Sequence, residues 1–284
     1  MINPRGFTRR YLFTGTLTLR TGLHIGSGWT VGSPSDSPVI RTPDGKPFIP
    51  GSSFKGAFRS MVEKLAQTIG LKSCGLMEGQ GCIGAQGKEQ DAFNKRSKDW
   101  TNDRLLAELD KLLCDTCKLF GSPYAASRIT FADLLPTDES AEYAEAMIQI
   151  RDGVAIDRDS EKAVDKLKYD YEVVAPAQTF NLEILLEDPT DTDLGLTCVG
   201  LSEFVSGFGY VGGKRSRGLG NCRLDDLHIY ELDLSMDDVT ERAERLKKYL
   251  LGSTPEDKMT RVTDVMAFLD QQITALLSYA GGAQ

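Results

Sequence analysis

Tyr11-Leu12-Phe13-Thr14-Gly15-Thr16-Leu17-Thr18-Leu19-Arg20 places Phe13, Leu17 and Leu19 on one side and Thr14, Thr16, Thr18 and Arg20 on the other. A period of two is that of a strand with one face buried and one wet. The residues that follow, 26–44, are rich in Gly, Ser, Pro and Asp and predict an exposed loop, interrupted by the apolar Pro38-Val39-Ile40. After Pro50-Gly51, the hydroxyls of Ser52 and Ser53 are candidate N-caps. Phe54, Phe58, Met61, Val62 and Leu65 then recur at helical spacing, predicting a helix that ends near Gly70. Residues 128–135 read as a second strand, and 179–187 as a third. Residues 194–205 read as a second helix with Leu196, Val199, Leu201 and Phe204 inward, and 222–232 as the last strand. Strand, helix, strand, strand, helix, strand is the order of a split βαβ, ferredoxin-like α+β unit. It carries two insertions. Residues 71–123 hold cysteines and a polar segment with a short helix at 104–113, and residues 152–171 form a charged excursion too polar to be buried.

Beyond residue 234 the composition shifts to helix formers. Thr254-Pro255-Glu256 predicts a helix start, with Thr254 as cap and Pro255 in the first turn. Met259, Val262, Met266, Leu269, Ile273, Leu276 and Ala280 step by three and four along one apolar seam. Such a seam packs on its own domain, on a preceding helix near residues 239–250, or on a partner. The chain thus divides into a main domain over 1–234 and a helical extension over 235–284. Its 284 residues, 40% hydrophobic and 26% charged, are those of a folded protein. No apolar run reaches the roughly 18 to 20 residues that cross a bilayer, and the N-terminus lacks the apolar segment of a secretion signal. The expectation is a cytoplasmic protein without a membrane partner.

The net charge of −8 argues against indiscriminate coating of nucleic acid, but it is unevenly spread. Residues 1–60 carry eight basic side chains against two acidic, and residues 201–223 carry four against one. Residues 124–200 carry six against seventeen. Should the two basic segments meet, they form a surface able to neutralise phosphate; otherwise both are solvated loops. Gly212-Gly213-Lys214-Arg215-Ser216-Arg217-Gly218-Leu219-Gly220 joins three cations to a backbone free to present bare amides, which suits a polyanion; the alternative is a turn before an edge strand. Gly207-Phe208-Gly209-Tyr210-Val211-Gly212 matches a dinucleotide-binding pattern by letters only, because it follows a predicted helix instead of a strand.

Of six cysteines, Cys74, Cys82, Cys114 and Cys117 form two pairs, the second with a spacing that aims both thiolates at one tetrahedral ion. A structural Zn²⁺ is the metal reading, and reduced buried cysteines the alternative. Cys198 and Cys222 fall in predicted core elements. His24 ends the first strand beside the loop, where a lone histidine serves most often as a structural hydrogen-bonder. No Ser/His/Asp set or close carboxylate pair is visible in the sequence.

Thr21-Gly22-Leu23-His24-Ile25-Gly26, Asp36-Ser37-Pro38-Val39-Ile40, Lys46-Pro47-Phe48-Ile49-Pro50-Gly51-Ser52-Ser53-Phe54-Lys55-Gly56 and the loop from Lys214 to Gly220 together resemble the RAMP superfamily. Among its members they resemble most the backbone subunit that polymerises along the guide RNA in type III CRISPR effector complexes. The similarity spans about residues 11–232, and Cys114-Asp115-Thr116-Cys117 resembles the cysteine-bearing variants. The resemblance implies an RNA-recognition-motif-like core. Guide-RNA phosphates would be held by Ser52, Ser53, Lys55, Arg59, Lys214, Arg215, Ser216 and Arg217, aided by the helix dipole. Residues 150–178 would form the family's thumb hairpin, with His24, Ile156 and Tyr169 near the RNA; its acidic composition here departs from a phosphate-gripping thumb. In members that cut target RNA, an aspartate in the loop after the first strand supports cleavage dependent on a divalent cation such as Mg²⁺ or Mn²⁺, and Asp36 occupies that place. Otherwise Asp36 caps a turn before Pro38. The partners implied are guide RNA, target RNA and other effector-complex subunits. The other functions open are an inactive scaffold, a metal-independent guide-processing endonuclease using His24, and a zinc-stabilised protein-interaction module.

Overall fold

The computed structural model describes residues 6–28, 35–75, 81–83, 88–138, 147–156, 158–159, 161 and 163–282. The chain opens with β1 (Arg9–Leu19) and α1 (Gly51–Thr68), followed by α2 (Lys88–Ser97), α3 (Asn102–Leu112) and α4 (Asp115–Phe120) in the first insertion. Next come β2 (Ile129–Phe131), the hairpin β3 (Ile148–Ile156) and β4 (Ala163–Val174), then β5 (Thr179–Glu187) and α5 (Asp191–Val205). A short β6 (Gly209–Tyr210) and β7 (Asn221–Asp233) precede α6 (Val239–Leu251), α7 (Pro255–Lys258), β8 (Thr260–Arg261) and α8 (Val265–Gly282).

β1 lies between β5 and β7, antiparallel to both, with β2 outside β5, β6 outside β7, and β8 also paired to β7. The strands of the predicted β-α-β-β-α-β unit therefore lie side by side as fourth, first, third and second. Each helical crossover skips a strand, as a split βαβ unit requires. Along β1 the alternation holds: Tyr11, Phe13, Leu17 and Leu19 are buried, while Thr14, Thr16 and Thr18 are only partly covered on the other face. The buried face meets α1, through Phe54, Ala57, Phe58, Val62 and Ala66, and α5, through Leu194, Leu196, Leu201 and Phe204. Phe204 stacks on Phe58 with centroids 5.9 Å apart and meets Phe54 at 5.0 Å. Burial of each such ring contributes about 1.5–3 kcal/mol.

Four expectations are corrected. Ser52 and Ser53 do not cap α1. They lie in its first turn, and the Gly51 N–H donates instead to Asp133 Oδ1 at 2.7 Å. The second strand is shorter than 128–135, because past Phe131 the chain holds its neighbours only by single bridges, Ile49 to Leu134 and Pro136 to Phe180. The predicted C-terminal helix starts where expected, with Thr254 as cap and Pro255 in the first turn, but it breaks after Lys258. Thr260 and Arg261 pair with Glu231 and Tyr230 of β7, and α8 begins only at Val265. Leu269, Leu276 and Ala280 then pack into the main core against α5. Finally, the polar excursion buries its base: Tyr171, Glu172, Val173 and Val174 are all under a tenth exposed. Among the described residues, no helix is long and apolar enough to cross a membrane.

Candidate nucleic-acid interface and cysteine cluster

β4 organises the loop that follows β1. Leu23 and Val174 exchange backbone hydrogen bonds of 2.9 and 2.8 Å, and the Glu172 N–H donates to the Ser37 carbonyl at 3.0 Å. Asp36 and Asp170 lock reciprocally: the Asp36 N–H donates to Asp170 Oδ1 at 2.6 Å, and the Asp170 N–H donates to Asp36 Oδ2 at 3.1 Å. Each carboxylate is thereby held against the other residue's main chain, with Asp36 exposed. Glu172 is 1% exposed; its Oε2 accepts from the Val39 N–H at 3.0 Å and from the Arg41 guanidinium at 2.9 Å. A buried carboxylate needs that pairing, since charge without partners is expelled from a protein interior. His24 is buried, with Nδ1 2.7 Å from the Glu172 carbonyl. A carbonyl only accepts, so Nδ1 carries a proton, and in the neutral ring Nε2 is the acceptor that faces Ser37 Oγ at 3.4 Å. The ring also meets Tyr171 edge-on at 5.6 Å. This is the structural histidine of the sequence reading, not an exposed base.

The cationic loop docks on the same hairpin. Lys214 Nζ sits 4.2 Å from the Tyr171 ring centroid and 5.2 Å from that of Tyr169, and the Arg217 guanidinium donates to the Tyr169 hydroxyl. The Gly213 N–H donates to the His24 carbonyl at 2.9 Å, and the Gly220 N–H to the Gly22 carbonyl at 2.8 Å. Gly220 has φ +86°, and a Cβ there would lie 2.1 Å from the Val211 carbonyl oxygen, so only glycine closes this loop. Arg215, Ser216 and Arg217 are exposed. His24, Asp36, Tyr169, Lys214 and Arg217 are thus brought to one place, with Arg215 and Ser216 on the same loop. Ile156 ends β3, and its side chain lies outside the described ones.

The start of α1 lies at the same end of the sheet, where β1 finishes and β7 begins. Phe54, in its first turn, touches Phe204, from whose helix the glycine-rich loop departs. Ser52 is exposed and Ser53 partly so. The two cations of α1 turn elsewhere, towards the first insertion. Lys55 Nζ donates to Ser127 Oγ at 3.0 Å, and its partial burial lowers its pKa. Arg59 pairs with Glu63 at 2.7 Å and donates to the Gly121 carbonyl at 3.2 Å and to Cys117 Sγ at 3.6 Å.

Cys74, Cys82, Cys114 and Cys117 converge, with their Sγ atoms all within 4.8 Å of one another. α4 is what brings the last two in, since Cys114 caps it and accepts the Cys117 N–H at 3.4 Å. Zinc–thiolate bonds of about 2.3 Å in a tetrahedron separate sulfurs by roughly 3.8 Å, so the donor set fits such an ion. Without a cation Cys82, Cys114 and Cys117 are displaced in opposite directions. Hydrogen bonding from Cys117 pulls Cys114 down to about 3, whereas burial pushes Cys82 up to about 12, and the Cys114 hydrogen bond raises Cys117. Cys198 and Cys222 lie in the core, where burial pushes both thiols up to about 12.

Glu172, Asp170 and Tyr171 escaped the sequence reading. For Tyr171 alone a signal was present, in the alternation of Tyr169, Tyr171 and Val173, which marks a strand entering a core; nothing local marks Asp170 or Glu172.

The chain is 26% identical over 263 residues to the CRISPR system Cms endoribonuclease Csm3 of Methanothermobacter thermautotrophicus, covering 79% of this chain and 87% of that protein. The protein of the same name from Methanocaldococcus jannaschii is 25% identical over 236 residues, covering 78% and 80%, and that of Mycobacterium tuberculosis is 25% identical over 234 residues, covering 75% and 86%. The family model described as the RAMP superfamily matches residues 16–223, a span that takes in the end of β1, the Asp36 loop, both insertions and the cationic loop. With the strand order of a split βαβ unit beneath those motifs, this chain belongs to the RAMP superfamily.

Proposed function

We propose that this chain is the guide-RNA-binding backbone subunit of a type III CRISPR effector complex and that it cleaves target RNA within the assembled complex. The observation that carries this reading is the docking of the Asp36 loop and the Lys214–Arg217 loop on neighbouring residues of the same strand, β4. The curated relatives named as CRISPR endoribonucleases support it in kind. Lys214, Arg215, Ser216 and Arg217 hold guide phosphates by charge and hydrogen bonding, and Ser52, Ser53 and the amino end of α1 extend the grip across the same end of the sheet. Lys55 and Arg59 brace α1 against the insertion, where a structural Zn²⁺ held by Cys74, Cys82, Cys114 and Cys117 fixes the fold locally.

Asp36 and Asp170 offer hard carboxylate oxygens of the kind that bind Mg²⁺ or Mn²⁺. When bound, such a cation supplies positive charge to the phosphate under attack. Asp36 orients the target ribose 2′-hydroxyl or holds the cation. The 2′-oxygen, giving up its proton to water, then attacks the adjacent phosphorus and expels the 5′-oxygen, which takes a proton from water, leaving a cyclic phosphate and a 5′-hydroxyl. Glu172 and Asp170 keep the loop still while this occurs.

In the assembled complex, Asp36→Ala is expected to abolish target cleavage while guide and target remain bound. Unchanged cleavage removes the catalytic role and leaves the scaffold alone. Sequencing of RNA that co-purifies with the chain is expected to return short repeat-derived guides.

A further inference from the structure

Beside the cationic loop lies an edge that the RNA grip does not use. Among the described residues β6 is the outermost strand of its sheet, and the residues on either side of Gly209 are aromatic and exposed: Phe208 at 68% and Tyr210 at 41%. Of the exposed large hydrophobic side chains among the described residues, only one other, Tyr279, is aromatic. Single exposed apolar residues need no explanation, but two aromatics at i and i+2 on a sheet edge invite pairing unless they have a use.

Their direction is set by the residue between them. A Cβ on Gly209 would come within 2.2 Å of the Phe204 ring, so position 209 faces the core and, by the alternation of extended chain, 208 and 210 face away. The backbone beneath is pinned. Asn221 Nδ2 donates to the carbonyls of Gly207 at 2.9 Å and Gly209 at 3.1 Å, the exposed Arg20 reaches the Gly207 carbonyl at 3.4 Å, and the Phe208 N–H donates to Glu203 at 2.9 Å. Tyr210 stands only four residues before Lys214, a reach of at most about 14 Å. Flat apolar rings on a fixed base, flanked by Arg20 and the Lys214–Arg217 cations, match a single strand of RNA: phosphates on the cations, bases on the rings.

We infer that Phe208 and Tyr210 form a base-stacking platform for single-stranded RNA continuing from the Lys214–Arg217 loop. This rests on the RNA-binding reading above. The charge around the rings favours a nucleic acid over a protein surface as the occupant.

The test uses the full chain and a labelled single-stranded RNA, titrated by anisotropy at several salt concentrations. The Phe208→Ala/Tyr210→Ala pair is expected to weaken binding about tenfold or more with an unchanged salt slope, since no phosphate contact is lost. Phe208→Trp should show fluorescence quenching on RNA addition, a signature of stacking that mere apolar bulk does not give. Lys214→Ala/Arg217→Ala, in contrast, should lower both affinity and slope. If the aromatic pair is dispensable while the cation pair is not, the platform is overturned and the RNA reading stands. If neither pair matters, the RNA reading fails and takes the platform with it. RNA binding within twofold of the parent, with loss of co-purifying subunits, would make the edge a protein interface and overturn the inference. In the reconstituted complex, loss of guide retention assigns the stacked strand to the guide, and weakened target capture with guide retained assigns it to the target.

Discussion

Glu172 shows how one side chain positions several others. Its main chain receives the His24 Nδ1–H and donates to Ser37, and only its carboxylate binds the Val39 N–H and Arg41. Substitution therefore spares the first two contacts and removes the last two. Glu172→Ala leaves the buried Val39 N–H without an acceptor, a cost of about 1–3 kcal/mol. Arg41, 38% exposed at its side chain, recovers water and adds little. Glu172→Gln keeps an acceptor for Val39 and should recover at least half of the loss in urea denaturation. Because Asp36 lies three residues before Val39 on the same strapped loop, Glu172→Ala should also slow target cleavage by roughly ten- to a hundredfold, with guide binding intact. Equal cleavage by the two variants would separate Glu172 from the Asp36 loop.

At the scale of elements, α1 is anchored from a distance. The Gly51 N–H to Asp133 bond joins residues 82 apart, so Asp133→Ala should cost about 0.5–2 kcal/mol, as loss of an N-cap does, and should lower the melting temperature without altering the cysteine cluster. The insertion that carries the cluster has a separate small core of Phe93, Leu109 and Leu113 packed around Cys114 and Cys117. A strong chelator, or Cys114→Ser, should therefore expose residues 71–123 to protease before the sheet melts, and metal analysis should return about one zinc per chain. Protease resistance unchanged by chelation would argue that packing alone holds the insertion. These two cases also mark where sequence is legible. β5 ends where its alternation ends, at Thr179 and Glu187, and α3 lies within two residues of its predicted span, because local periodicity decides both. The Asp133 cap and the break after Lys258 are decided by partners far along the chain: Gly51 in one case, and in the other Tyr230 and Glu231 of β7. At the site, the cationic loop and Asp36 could be read from local motifs. Glu172 could not, since an acid buried by an arginine 131 residues away leaves no trace in composition.

Over the whole molecule, α8 closes the core and the charge divides it. Leu276, 2% exposed, packs over Gly195 of α5, so Leu276→Ala should cost about 2–5 kcal/mol, a loss measurable by urea unfolding. A change of less than about 0.5 kcal/mol, the range of surface substitutions, would mean that the extension rests only lightly on the domain. The division of charge bears on RNA. Residues 124–200 carry seventeen acidic side chains against six basic, yet Arg20, Lys214, Arg215 and Arg217 gather at one end of the sheet. With acids over much of the remaining sequence, phosphates have few other places to bind, and at 0.1 M salt a screening length of about 10 Å confines the attraction to that end. Four phosphate contacts to a single strand predict that log affinity falls with log salt at a slope of about −3, and that each cation replaced by alanine makes the slope shallower by about 0.7. Replacement of Arg242, Lys247 or Lys248 on α6 should leave the slope unchanged, since that helix has no buried residue and lies outside the RAMP match. A slope near zero, or one equally sensitive to α6, would show that binding does not run through the cationic end.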